Sequence, residues 1–157
     1  MRTINLILLF IFFSATITGC QDKVLANSFS QNYLKGANAF NTKNYQDAIK
    51  YWKIDADSQK NLDEIAEFYK ISSQFSLGTL YMYHLHDTLN GLKYLNYAAE
   101  NGHPSAMKNL QVLYRDGSYG VPKNKNISWD YFFMRKDAKD IWTQKGQHIL
   151  EWAKQQK

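Results

Sequence analysis

Three stretches of this chain repeat one pattern, and that repetition limits the fold more than any other feature. "ANAF…NYQDAIKYW" matches "LGTLY…LNGLKYL", which matches "LQVLY…NISWDYF". The first part of each unit closes on an aromatic residue: Phe40, Tyr81 and Tyr114, 41 and 33 residues apart. The second part carries a small residue, Ala48, Gly91 or Ser128, at spacings of 43 and 37. A small residue there lets one helix approach its neighbours closely. A unit of this length cannot bury its own apolar face, so stacking against the next unit must complete the core.

Apolar residues recur at helical spacing, and no stretch alternates with period two for long. The chain is therefore expected to be all-α. Its architecture would be a short α-solenoid of stacked antiparallel helix pairs, about three repeats plus a C-terminal helix. A first helix is predicted over 30–41, with Tyr33, Leu34, Ala37 and Phe40 inward. Asn44 reads as the N-cap of a second, with Ala48, Ile49, Trp52 and Ala56 inward. Asn61 is expected to cap a third and longer helix, with Glu64 at the capping-box position. Its apolar series includes Ile65, Phe68, Phe75, Leu77, Leu80 and Tyr81. A fourth helix starts near Asp87 and stops at Gly102. Pro104 opens a fifth, which runs to about Arg115. "DGSYGVPKN", 116–124, is a loop with two glycines and Pro122. Two further helices are predicted, over 127–136 and 140–154, the last with Trp142, Ile149 and Ala153 on one side.

The N-terminus has a different character. A short basic start at Arg2 leads into the apolar run "LILLFIFF" and then into small and polar residues up to Gly19. That layout is a secretory signal peptide over 1–19, with an apolar core too short to span a bilayer. "ITGC", ending at Cys20, resembles the lipobox of bacterial lipoproteins. The resemblance implies cleavage before Cys20 and lipidation of its thiol. It also accounts for a single cysteine in an exported chain, which could form no internal disulfide. Gln21 follows, and by the same resemblance the anchor is expected in the outer membrane, facing the periplasm, with the inner membrane less favoured. Residues 20–30 would be the lipidated cysteine and a polar tether, and 31–157 the helical repeat domain.

Charge is unevenly spread. Residues 20–120 balance ten basic against ten acidic side chains, whereas 121–157 carry eight basic and four acidic. This basic end could be a solvated helix face, or could meet anionic lipid headgroups or an acidic protein surface. For an exported chain, nucleic acid is not an expected partner.

The central segment, "FSLGTLY…GLKYLNYAAENGHPSAMKNLQVLYRDGSYGVPKN", resembles Sel-one-like repeats, relatives of tetratricopeptide repeats. The likeness covers roughly 33–138. It rests on "LG" with Tyr81, on "AAENGHPSA" across the inter-repeat turn, and on "GSYGVPKN". The first unit departs from it, with Gly36 and Ala37 where the motif has Leu-Gly, as does the third, with Gln111 at the glycine position. The resemblance implies stacked helix pairs and an adaptor-like role in binding proteins, with no reaction attached.

No catalytic set emerges from the residues. His84 and His86 are two apart, which splits them across a helix face and makes a poor metal pair. His103 falls in an inter-repeat turn, and His148 stands apart on the last helix. There is no phosphate loop and no Ser-His-Asp signature. The acidic start "DEIAE" suits a helix dipole better than catalysis. No enzyme activity, metal or cofactor is expected.

In stacked helix pairs the first helix of each unit lines the concave face. Taking Tyr81 as inward, the exposed side of that helix carries Phe75, Thr79, Met82 and Tyr83. The same register gives Lys108, Val112 and Arg115 in the third unit and Asn38 and Asn41 in the first. Tyr83 and Arg115 rank highest as partner-binding residues, because aromatic and Arg side chains dominate interface hot spots. Tyr119, Lys136 and Lys139 are secondary. The expected function is that of a membrane-anchored periplasmic protein-binding lipoprotein that occludes or scaffolds a partner. One concrete form, carried by the family resemblance, is an immunity protein against a secreted toxin such as a type VI phospholipase. A structural envelope lipoprotein is the alternative, and a hydrolase a remote one.

Overall fold

The computed structural model describes residues 27–59 and 62–155. The predicted signal peptide, Cys20, most of the tether and Asn61 lie outside the described residues. Among the described residues six α-helices follow one another: α1 (27–41), α2 (Tyr45–Ala56), α3 (Glu64–Thr79), α4 (Thr88–Glu100), α5 (Pro104–Asp116) and α6 (Lys125–Lys154). A five-residue π-helical turn, Leu80–His84, continues α3. The described residues contain no strand. The chain is all-α, a short solenoid of paired helices.

The sequence repeat is reproduced bond for bond at the turns. Asn44, Asp87 and Asn124 each stand four residues before the small residue of their unit, and each is an N-cap. Their side chains accept from the amides of Asp47, Asn90 and Ile127. Their carbonyls accept from Ala48, Gly91 and Ser128 at 3.0, 2.9 and 3.1 Å. Their own amides reach back to the carbonyls of Ala39, Tyr81 and Tyr114. In the two short turns the residue before the cap, Lys43 or His86, takes a left-handed φ of 60° or 56°. The aromatic that closes each first helix packs on a ring of the second: Phe40 on Trp52, Tyr81 on Tyr94 and Tyr114 on Tyr131, at 5.9, 5.9 and 6.2 Å between centroids.

Two core clusters lie between the stacked pairs. Ala48, Trp52, Ala56, Leu77, Leu80 and Tyr94 form one. Ile71, Met82, Leu95, Ala98, Ala106, Leu110, Leu113 and others form the second. The helix α3, with its π-helical turn, feeds both. Close approach is built in at Gly78, where a β-carbon would stand 2.7 Å from the Leu95 backbone nitrogen, and at Gly36, where it would collide with the Trp52 ring. The first unit thus keeps its glycine one position earlier than the second.

Four expectations need correction. The cap of α3 is Asp63, whose carboxylate accepts from the Ala66 amide at 2.7 Å, so Glu64 is the first helical residue. The last two predicted helices are one 30-residue helix, α6. No proline or glycine separates them, and residues 137–139 give the helix no reason to stop. Leu34 is 57% exposed, on the outer side of α1. Residues 27–30, placed in the tether, are helical, and Phe29 is buried.

The second half of α6 runs past α5 and reaches the start of α3. Trp142 stacks on Phe68 at 4.8 Å, Lys145 pairs with Glu67 and His148 with Glu64. Among the described residues, no helix is long and apolar enough to cross a membrane.

Candidate functional site

The first helices of units one and two, α1 and α3, flank a small groove with Trp52 of α2 at its base. Tyr33, Ala37, Phe40 and Asn41 line one side, and Phe75, Ser76 and Thr79 the other, around a cavity of about 210 Å³. The groove's polar groups are mostly spent within the fold. The Trp52 indole N–H donates to the Tyr33 carbonyl at 3.1 Å, and the Thr79 hydroxyl donates to the Phe75 carbonyl at 2.9 Å. What remains is ring surface, methyl groups and the Ser76 hydroxyl, with Asn41 exposed at the rim. The volume is below the ~300 Å³ at which small-molecule pockets begin and suits a single inserted side chain.

Phe75 also faces the other way. Its ring stacks on His103 at 4.3 Å, and Trp142 covers His103 from another side at 4.5 Å. His103 is the N-cap of α5, with Nδ1 accepting from the Ala106 amide at 3.3 Å. Burial pushes its pKa down to about 4, so near neutrality the ring carries no charge and its proton sits on Nε2. His103 is a packing and capping residue, and Phe75 is shared between the groove and the core.

A second groove lies between α5 and α6. Pro104, Ser105 and Lys108 form one wall and Phe132, Arg135, Lys136, Lys139, Trp142 and Thr143 the other, around about 580 Å³. No carboxylate lines it.

A third cavity, of about 450 Å³, sits between the start of α1 and the end of α2 and includes Asn32 and Asp55. Asp55 is completely buried. Oδ1 accepts from Asn32 Nδ2 at 2.9 Å, while Oδ2 has no hydrogen-bond partner, nor has Gln74 Oε1. Burial pushes the Asp55 carboxyl up to about 7, and the Asn32 and Ser73 side chains offset only part of that rise.

The residues expected to form one concave face are therefore dispersed. Phe75 and Thr79 join the apolar groove, with Asn41 opposite them. Lys108 lines the basic groove. Tyr83 is half-buried against the second core cluster, and its ring meets Tyr119 edge-on at 4.9 Å. Burial and the nearby Tyr119 raise its pKa. Val112 is half-buried on α5. Arg115 is exposed, but one edge of its guanidinium, Nε and Nη2, donates to the two carboxylate oxygens of Asp116 at 2.7 and 2.9 Å. Met82 is corrected outright. It has no exposed surface, and Gly91 presses against it. α3 and its π-helical turn are covered on two sides, so the side opposite Leu80 meets α4 and α5 rather than solvent. Tyr33, Ala37, Phe40 and Trp52 had been read only as core. Their closeness to Phe75 across two helices is a tertiary fact, and repeat spacing gave no sign of it. Asp55 had one available signal: it occupies the place of the buried Ala98 of unit two.

The chain matches no family model, no curated protein and no solved structure.

Proposed function

We propose that the chain is a protein-binding module of Sel-one-like repeat type, carried on a lipid anchor at Cys20 in the periplasm, which occludes or scaffolds a partner protein. The observation that supports this reading is the apolar groove between α1 and α3. Its aromatic walls and consumed hydrogen-bonding groups fit an apolar anchor residue of a partner, the kind of buried side chain that carries most interface energy. Neutralisation of a secreted toxin is the concrete form favoured by the family resemblance. An anchored inhibitor would stand where an envelope-directed toxin acts.

The test fills the groove without touching the core. Asn41→Arg and Thr79→Arg, combined in the full chain, place two long side chains over it. A photo-crosslinking residue at Thr79 should capture one protein that the same residue at exposed Lys93 on α4 does not. The double variant should bind that protein at least tenfold more weakly, with unchanged helical content. Equal affinity in a folded double variant overturns the groove assignment. If the partner is a toxin, cells making the double variant should lose protection against neighbours that secrete it.

A further inference from the structure

The outer side of α6 joins two features that soluble helices usually keep apart. Trp129, Phe132 and Phe133 pack on one another, with ring centroids 5.4–6.1 Å apart. Yet Trp129 is 57% and Phe133 60% exposed. Packing among themselves does not remove these rings from water, so the cluster remains an apolar protrusion. Phe132 continues it into the groove between α5 and α6, where Lys108, Arg135, Lys136 and Lys139 gather. None of these four cations forms an ion pair among the described residues; the Arg135 guanidinium lies 5.8 Å over the Phe132 ring. By contrast, Lys145, one turn beyond the groove, is paired with Glu67.

The charges on α6 are also sorted around its axis. At about 100° per residue, Lys125, Arg135, Lys136 and Lys139 fall on one flank, and Asp130 and Asp137 on the opposite side of the Trp129–Phe133 ridge. Asp140, two turns beyond Phe133, is a carboxylate in line with the ridge.

We propose that this face of α6 lies on an anionic phospholipid surface. Trp129 and Phe133 would sit at the headgroup boundary, with Lys108, Arg135, Lys136 and Lys139 on the phosphates. An acidic peptide laid in the α5–α6 groove would satisfy the cations but leave both protruding rings in water. A bilayer interface satisfies both at once, because it accepts amphipathic aromatics and attracts basic side chains. This contact lies apart from the α1–α3 groove and stands or falls independently of it.

The full chain is placed on vesicles of phosphatidylcholine alone, or of phosphatidylcholine mixed with phosphatidylglycerol, both with brominated acyl chains that quench tryptophan on contact. The wild type should show several-fold more quenching when phosphatidylglycerol is present. Trp129→Phe should remove the quenched component, which assigns it to this residue rather than to the other three tryptophans. Lys136→Glu with Lys139→Glu should return the signal to the level in phosphatidylcholine, a loss of about thirtyfold or more in surface affinity. All three positions are exposed, so the variants should fold. Equal quenching on both vesicles, or quenching that survives Trp129→Phe, overturns the proposal. So does a charge-reversal variant that behaves as wild type on lipid but loses an acidic protein partner.

Discussion

His103 and Asp55 are both buried ionisable side chains, His103 where helices of different pairs meet and Asp55 between the two helices of the first pair, and the fold treats them in opposite ways. His103 is held on every side: Phe75 and Trp142 cover its faces, and Nδ1 caps α5. Its neutral form suits its site. Asp55 has one oxygen bonded to Asn32 and one with no hydrogen-bond partner. Its charged form suits its site poorly. The difference teaches that burial by itself says little about a polar group. What matters is whether the neighbours supply the bonds that the buried form needs.

Their titrations make the contrast measurable. Asp55 has a folded pKa near 7, above its unfolded value of 3.8. The folded state therefore holds an extra proton between those values. The stabilisation is full below pH 3.8 and lost as pH rises through about 7. His103 has a folded pKa near 4, below its unfolded 6.5. Its contribution is full above pH 6.5 and lost as pH falls through about 4. The two slopes oppose each other across the mildly acidic range.

The largest expected effect follows from Asp55. Asp55→Asn removes the cost of burying a charge, so at pH 8 it should raise stability by on the order of 3 kcal/mol, and at pH 4 by almost nothing. Urea denaturation at the two pH values reads the difference. A variant equally stable to wild type at pH 8 would mean that the carboxylate is better served than its contacts indicate.

Next comes His103→Ala, which opens a hole between two rings and deletes a cap, for a loss of about 2–3 kcal/mol at pH 7. His103→Asn keeps a capping oxygen and should recover about 1 kcal/mol of that. If Asn recovers nothing, the ring stack carries the whole contribution. The same variant should leave Asp55 unopposed, so its stability should fall steadily from pH 4.5 to 7.5, whereas Asp55→Asn should show a steady rise.

Gly78→Ala should cost about 1–3 kcal/mol, since the new methyl meets the Leu95 backbone, which cannot swing aside. Thermal unfolding checks it. The smallest effect is at Lys145. It pairs with Glu67 at 3.7 Å with both side chains partly in water, so Lys145→Ala should stay within about 0.5 kcal/mol.

What could be read from the sequence was what is local. Asn44, Asp87 and Pro104 announce their helix starts because a cap is a contact within one turn. The recurring small residues and closing aromatics marked the repeat because each unit meets its neighbour through the same positions. What could not be read depended on what each helix is pressed against. The sequence places Met82 outward because a single helix has one inward side, whereas α3 and its π-helical turn lie between two layers. The groove of Tyr33, Phe40, Trp52 and Phe75 joins three helices and has no spacing of its own. Arg115 fits a hot-spot residue type, but its neighbour Asp116 already engages one edge of its guanidinium.

At about 45 Å, α6 is long enough to leave its own pair and dock against the start of α3. A ladder of repeats can in principle lengthen by adding rungs at either end, each new pair seated on the last. Here the strut that would bear the next rung has been turned back across the ladder and fastened to an earlier one. Growth by duplication at that end would first have to unfasten it. At that end, the reach of a single helix closes the face on which a further pair would sit.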